Sequence, residues 1–88
     1  MRKLSDIIRE SLTEIQEVQG YPLVEPKDEA SIKEMGFTRL DLSELIASLE
    51  MELGVDPFAA GTSIKAINTV GELIQAYRNQ LSRLQPAF

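Results

Sequence analysis

The sequence predicts an all-α fold: a bundle of three longer helices and one short helix, with a long first loop. Three observations carry this. Apolar residues recur at helical spacing in three separate stretches. Two of those stretches open on a capping box. Glycine stands at the end of the first two, and proline follows the third.

The first helix is predicted over residues 3–18. Leu4, Ile7, Ile8, Leu12, Ile15 and Val18 form its apolar stripe, while Arg9, Glu10, Glu14 and Glu17 fall outside it. Gly20 and then Pro22 stop it. Residues 19–38 sustain no helical period and read as a long ordered loop, a length that usually signals function or mobility. Residues 31–35 are expected to form a turn of helix, with Ile32, Met35 and Phe37 pinning the loop to the core.

The second helix is predicted over residues 39–53. Leu42, Leu45, Ile46, Leu49 and Leu53 form its stripe, with Leu40 at its start, and Gly54 ends it. Thr38 and Asp41 are spaced for a capping box, in which the Thr38 hydroxyl takes a first-turn amide and the Asp41 carboxylate returns to the cap amide. Asp41, Glu44 and Glu50 are expected on the outer faces. Pro57 suits the first position of one short helix that runs on into residues 58–67. The last helix is predicted over residues 70–84, from Val70, Leu73, Ile74, Tyr77, Leu81 and Leu84, with Thr69 and Glu72 as its capping box. Residues 85–88 read as a frayed end, because Pro86 prevents continuation. Leu45, Ile46, Leu49, Leu73, Ile74 and Tyr77 are the expected core.

Eighty-eight residues give a single domain, 1–88. The chain has no cysteine and no histidine, which removes disulfides, thiolate or imidazole zinc sites, thiol nucleophiles and imidazole acid–base chemistry together. The carboxylates lie off the apolar stripes, where burial cannot separate their pKa values for catalysis. They show no calcium-loop spacing, and Gly54, Gly61 and Gly71 form no phosphate-binding fingerprint. Tyr21 and Tyr77 read as packing residues. The inventory therefore predicts no catalytic residue, no metal and no enzyme.

The net charge of −5 argues against nucleic acid and anionic membranes. No apolar run approaches the roughly 20 residues of a membrane span. Residues Met1 to Leu4 lack the apolar stretch and cleavage site of a signal peptide, so the expected location is cytoplasmic and the expected state a monomer. The charge is uneven: residues 25–56 hold nine acids and three bases, so the rest of the chain sums to +1. The second helix and its approach are thus the acidic face.

The run from Met35 to Leu45, followed by Leu49-Glu50 and Leu53-Gly54-Val55, resembles the centre of the acyl carrier protein family. There a glycine precedes Asp-Ser-Leu or Thr-Ser-Leu at the start of the second helix, and a Gly-Val or Gly-Ile stop follows. The run from Thr69 to Leu73 resembles the family's Thr-Val-Gly-Asp/Glu-Leu opening of the last helix. Together the motifs cover nearly the whole chain. The resemblance implies a four-helix bundle of acyl-carrier type. It also implies a protein that presents acyl groups as thioesters on a 4′-phosphopantetheine arm to fatty-acid, polyketide or related lipid-synthesis enzymes. Its partners would be a phosphopantetheinyl transferase and acyl-transfer or synthase enzymes with basic docking patches. By position, Asp41, Glu44 and Glu50 would be the partner contacts.

One departure bears on that chemistry. In the family a serine at the start of the second helix carries the arm, and the matching residue here is Arg39. Arginine has no hydroxyl, so the arm is expected to be absent from this chain. Thr38 reads as the cap, and Ser43 lies one turn further on at a position usually apolar in the family. Three accounts of Arg39 stay open: a carrier whose attachment serine was replaced, an arm-less interaction module using the acidic second helix and Arg39 as a contact, or a likeness of fold alone.

Overall fold

The structure, a computed structural model, describes residues 3–59 and 61–84. The expected frayed end at 85–88 lies outside them. Three helices appear in chain order: α1, Leu4–Gln19; α2, Arg39–Leu53; and α3, Val70–Leu84. They match the predicted spans to within a residue. The short helix is reduced to a single 3-10 turn, Ile64–Ala66. Pro57 opens a turn, not a helix, because the Asp56 carboxylate accepts from the Phe58 and Ala59 amides, at 2.9 and 3.2 Å, and closes the chain on itself.

Glycine ends the first two helices in the left-handed conformation that a Cβ disfavours: φ is 72° at Gly20 and 76° at Gly54. After Gly20 the Tyr21 amide donates back to the Gln16 carbonyl at 2.9 Å, which turns the chain into the long loop.

The core joins Ile8 and Leu12 of α1, Leu45 and Leu49 of α2, and Val70, Leu73, Ile74 and Tyr77 of α3. Ile32, Met35 and Phe37 are buried with them, as the sequence predicts. Both α2 and α3 pack against α1, and among the described residues no Cα atoms of α2 and α3 come within 8 Å of each other.

The stripe of α1 departs from prediction at its end. Val18 is 78% exposed, while Gln16 is buried. At about 100° per residue, Val18 lies about 120° from Leu12, whereas Gln16 continues the Ile8–Leu12 line at i+4. Burial of Gln16 is satisfied, since its side-chain amide donates to the carbonyls of Pro22 and Val24 and holds the start of the loop.

The middle of the loop is tied to the start of α3. Ile32 donates to the Asn68 carbonyl, Val70 to that of Ala30 and Gly71 to that of Asp28, all within 2.9–3.0 Å. A Cβ at Gly71 would stand 3.0 Å from that same Asp28 oxygen, so the residue is glycine for closeness of approach. The long loop is therefore anchored at its start and its middle, and it delivers residues 37 and 38 to the start of α2.

Candidate functional site

The start of α2 is built around Asp41. The Thr38 hydroxyl accepts the Asp41 amide at 3.2 Å, and Asp41 Oδ2 accepts the Thr38 amide at 2.9 Å, completing the predicted capping box. The same Oδ2 accepts the Tyr21 hydroxyl at 2.7 Å, and Oδ1 accepts the Gln19 side-chain amide at 3.3 Å. The Thr38 amide, and after it the Tyr21 hydroxyl, hold the Asp41 carboxyl below its ordinary pKa. The bond to Asp41, with burial added, pushes the Tyr21 hydroxyl upward.

This corrects two expectations. Asp41 is not an outer-face residue: it is 2% exposed. It lies one turn before Leu45 on the line that leads through Leu49, so the side of α2 that buries those leucines also buries Asp41. Its oxygens accept from Thr38, Tyr21 and Gln19 within the chain. Tyr21, read as a packing residue, is also a hydrogen-bond donor that fixes the helix start. Tyr77 does pack in the core, fully buried, edge-to-face with Phe58 and with no partner for its hydroxyl among the described residues; burial, then the nearby charges of Asp56 and Glu50, push that hydroxyl far up.

Arg39 is the first residue of α2 and is exposed. It has no ion pair among the described residues. A cation in the first turn opposes the helix dipole, so the local structure gives no reason for arginine here. Its side chain borders a groove of about 530 Å³ between the start of α2 and the chain around the 3-10 turn. Of the two neighbouring hydroxyls, that of Thr38 is used in capping, and Ser43 is exposed one turn along the same side of α2.

The remaining predicted contacts, Glu44 and Glu50, are both exposed. Six residues separate them, so they point about 120° apart around the helix. Glu44 borders a furrow between α1 and α2 beside Glu14, Val18 and Ser48. Glu50 lies within about 20° of Arg39, on the other flank. Sequence reasoning missed two further exposed residues, Leu40 at 68% and Met51 at 90%. Both share the face of Glu44, at i−4 and i+7, and that spacing was the available signal.

Among the described residues, no group of acids is placed to hold a metal ion. No helix there is long and apolar enough to cross a membrane.

No protein-family model matches the chain, and no curated protein does. One solved structure is similar: the solution structure of MacpD, an acyl carrier protein from Pseudomonas fluorescens involved in mupirocin biosynthesis. The two are 32% identical with a TM-score of 0.77, over 96% of this chain and 73% of that one.

Proposed function

We propose that this chain, which belongs to the acyl carrier protein family, is a carrier scaffold for a polyketide or fatty-acid type of biosynthesis whose arm-attachment position is blocked by Arg39. Carriers of this family are non-catalytic, and the chain is not an enzyme. The observation that supports the reading is the start of α2. Its cap is complete, residue 39 faces outward from the first turn, and a groove opens beside it. A helix start of this kind suits a phosphodiester, because free amides and the dipole favour an anion there.

The residue present does not fit covalent attachment of 4′-phosphopantetheine. Guanidinium cannot form the phosphoester, the Thr38 hydroxyl is engaged by the Asp41 amide, and Ser43 stands a full turn away. Partner enzymes with basic patches would dock on the exposed acids Glu44 and Glu50, with Leu40 and Met51 adding apolar contact beside Glu44. The test is loading with coenzyme A and a phosphopantetheinyl transferase. Arg39→Ser is expected to gain one phosphopantetheine, and the chain with Arg39 none. No gain in the serine form removes the reading.

A second reading is favoured by the exposure of Arg39 without an intramolecular ion pair. In it the chain is an arm-less interaction module, and Arg39 recognises an acidic or phosphate group on a partner through its fixed fork of donors. Arg39→Ala separates the two: partner binding falls in the module reading and is unchanged in the carrier reading.

A further inference from the structure

The furrow between α1 and α2 lies on the side of α2 away from residue 39. Its two halves, of about 210 and 400 Å³, share Ser11, Glu14 and Ser48 and so form one trough. Val18 and Glu44 border one end, and Glu10, Met51 and Glu52 the other. At about 100° per residue, Glu44 stands about 140° round α2 from Arg39. Among the described residues no base borders either half. Glu14, Glu44 and Glu52 are exposed and have no ion pair among the described residues. Glu14 on α1 and Glu44 on α2 border the same half, a meeting of like charges that a cation from outside would relieve.

The furrow also carries apolar surface. Val18 and Met51, 78% and 90% exposed, are the most exposed large apolar side chains among the described residues. Single exposed apolar residues need no explanation. These two stand at opposite ends of one furrow, with half-buried Ile15 and buried Leu45 on its floor at the Val18 end. Ser11 and Ser48 lie between the ends and are too small to fill it. Acids along both flanks and apolar anchors at both ends match neither a simple cation nor a neutral apolar partner.

We propose that this furrow seats a cationic amphipathic helix of a partner protein, as a docking surface separate from the start of α2. Ser11 marks the level of Met51 on α1 and lies seven residues, or about 10 Å, from Val18. Apolar residues seven apart on the incoming helix therefore reach Val18 and Met51 together. Lysine or arginine on its flanks meets Glu10 and Glu14 along α1, and Glu44 and Glu52 along α2. A second copy of the furrow is disfavoured as the occupant, because it sets acid against acid. Glu44 also belongs to the docking surface proposed above, whereas Glu14 and Val18 on α1 belong to the furrow alone. A partner held here leaves residue 39 open to another protein, so the furrow acts as a tether.

The experiment is a titration of the isotope-labelled full chain, followed by amide chemical shifts. The probe is a peptide of leucine and lysine alone, about four helical turns long, with leucine at helical spacing. Parallel titrations use the same pattern with glutamate for lysine, a shuffled leucine–lysine peptide without the helical period, and a serine–lysine peptide of equal charge. The patterned leucine–lysine peptide is expected to give saturable shifts at residues 10–18 and 44–52. It should bind about tenfold tighter than the shuffled and serine–lysine peptides, with no saturable response to the leucine–glutamate one. Val18→Ala with Met51→Ala should weaken it about tenfold, and Glu14→Gln about threefold at low salt. Gln75→Ala, on α3, should leave it unchanged. Retained spectral dispersion shows that each variant is folded. Equal affinity for the shuffled or serine–lysine peptide, unchanged affinity in the Val18 and Met51 variant, or shifts centred on the groove beside Arg39 would overturn the proposal. So would concentration-dependent furrow shifts without peptide, the mark of a second copy. Arm loading is read separately, as a gain in mass at a restored serine, so the two readings fail independently.

Discussion

The Tyr21 hydroxyl donates to Asp41 Oδ2 at 2.7 Å, joining residues 20 apart in sequence. This one bond couples the exit from α1 to the entry into α2. Asp41 in turn accepts the Thr38 amide, so the first loop, the cap and the first turn of α2 form one unit. Whatever meets residue 39 meets a helix start whose position is held from both sides.

Acid should loosen that unit. The pKa of Asp41 is depressed on folding, so its bonds contribute fully above the ordinary value of 3.8 and are lost as pH falls through the folded value. Glu72, which accepts the Thr69 and Asn68 amides, is depressed in the same direction. Stability should therefore decline below about pH 4. In Tyr21→Phe the Asp41 carboxyl should titrate at higher pH than in the parent, as followed by carboxyl carbon shifts. An unchanged Asp41 titration would contradict the coupling.

Glycine at position 71 should be needed for docking of the loop on α3. Gly71→Ala sets a Cβ 3.0 Å from the Asp28 oxygen that the Gly71 amide already bonds, and neither group is a flexible side chain. The expected loss is about 1–3 kcal/mol by denaturant unfolding. A variant as stable as the parent would show that the loop yields without cost.

The core prediction is larger. Leu49 is fully buried among α1, α2 and α3 residues. Leu49→Ala should cost about 2–5 kcal/mol. In a domain of this size that is a large part of the total. A loss below about 0.5 kcal/mol would mean that α2 buries a different face.

Partner docking should depend on the exposed acids. Glu44→Lys with Glu50→Lys should weaken binding to a loading enzyme and flatten its dependence on salt. Binding unchanged at low salt would remove both residues from the interface. Asp41 is left out of this pair because its carboxylate is turned inward.

Much of the fold was legible because helical period, capping pairs and terminal glycines all agree at α1, α2 and α3. The 3-10 turn was not, because Asp56 bonding to its own following amides wins over the helix preference of Pro57 at a first position. At the site, the Thr38–Asp41 box could be read from spacing three apart. Burial of Asp41 was available in its place one turn before Leu45, but the bonds that satisfy its carboxylate were not, since they depend on Tyr21 and Gln19 arriving from α1 and its exit. The groove bordered by Lys33, Arg39 and Lys65 is likewise assembled from three distant segments. No local pattern announces it.

The central claim is that one residue separates this chain from a loadable carrier. Peptide mapping by mass spectrometry, after incubation with coenzyme A and a phosphopantetheinyl transferase, tests it most directly. Arg39→Ser should carry one phosphopantetheine on the peptide spanning the start of α2, localised to residue 39, while the chain with Arg39 stays unmodified at Thr38 and Ser43. Modification of the Arg39 chain at either neighbouring hydroxyl, or an unmodified serine variant, would contradict the account.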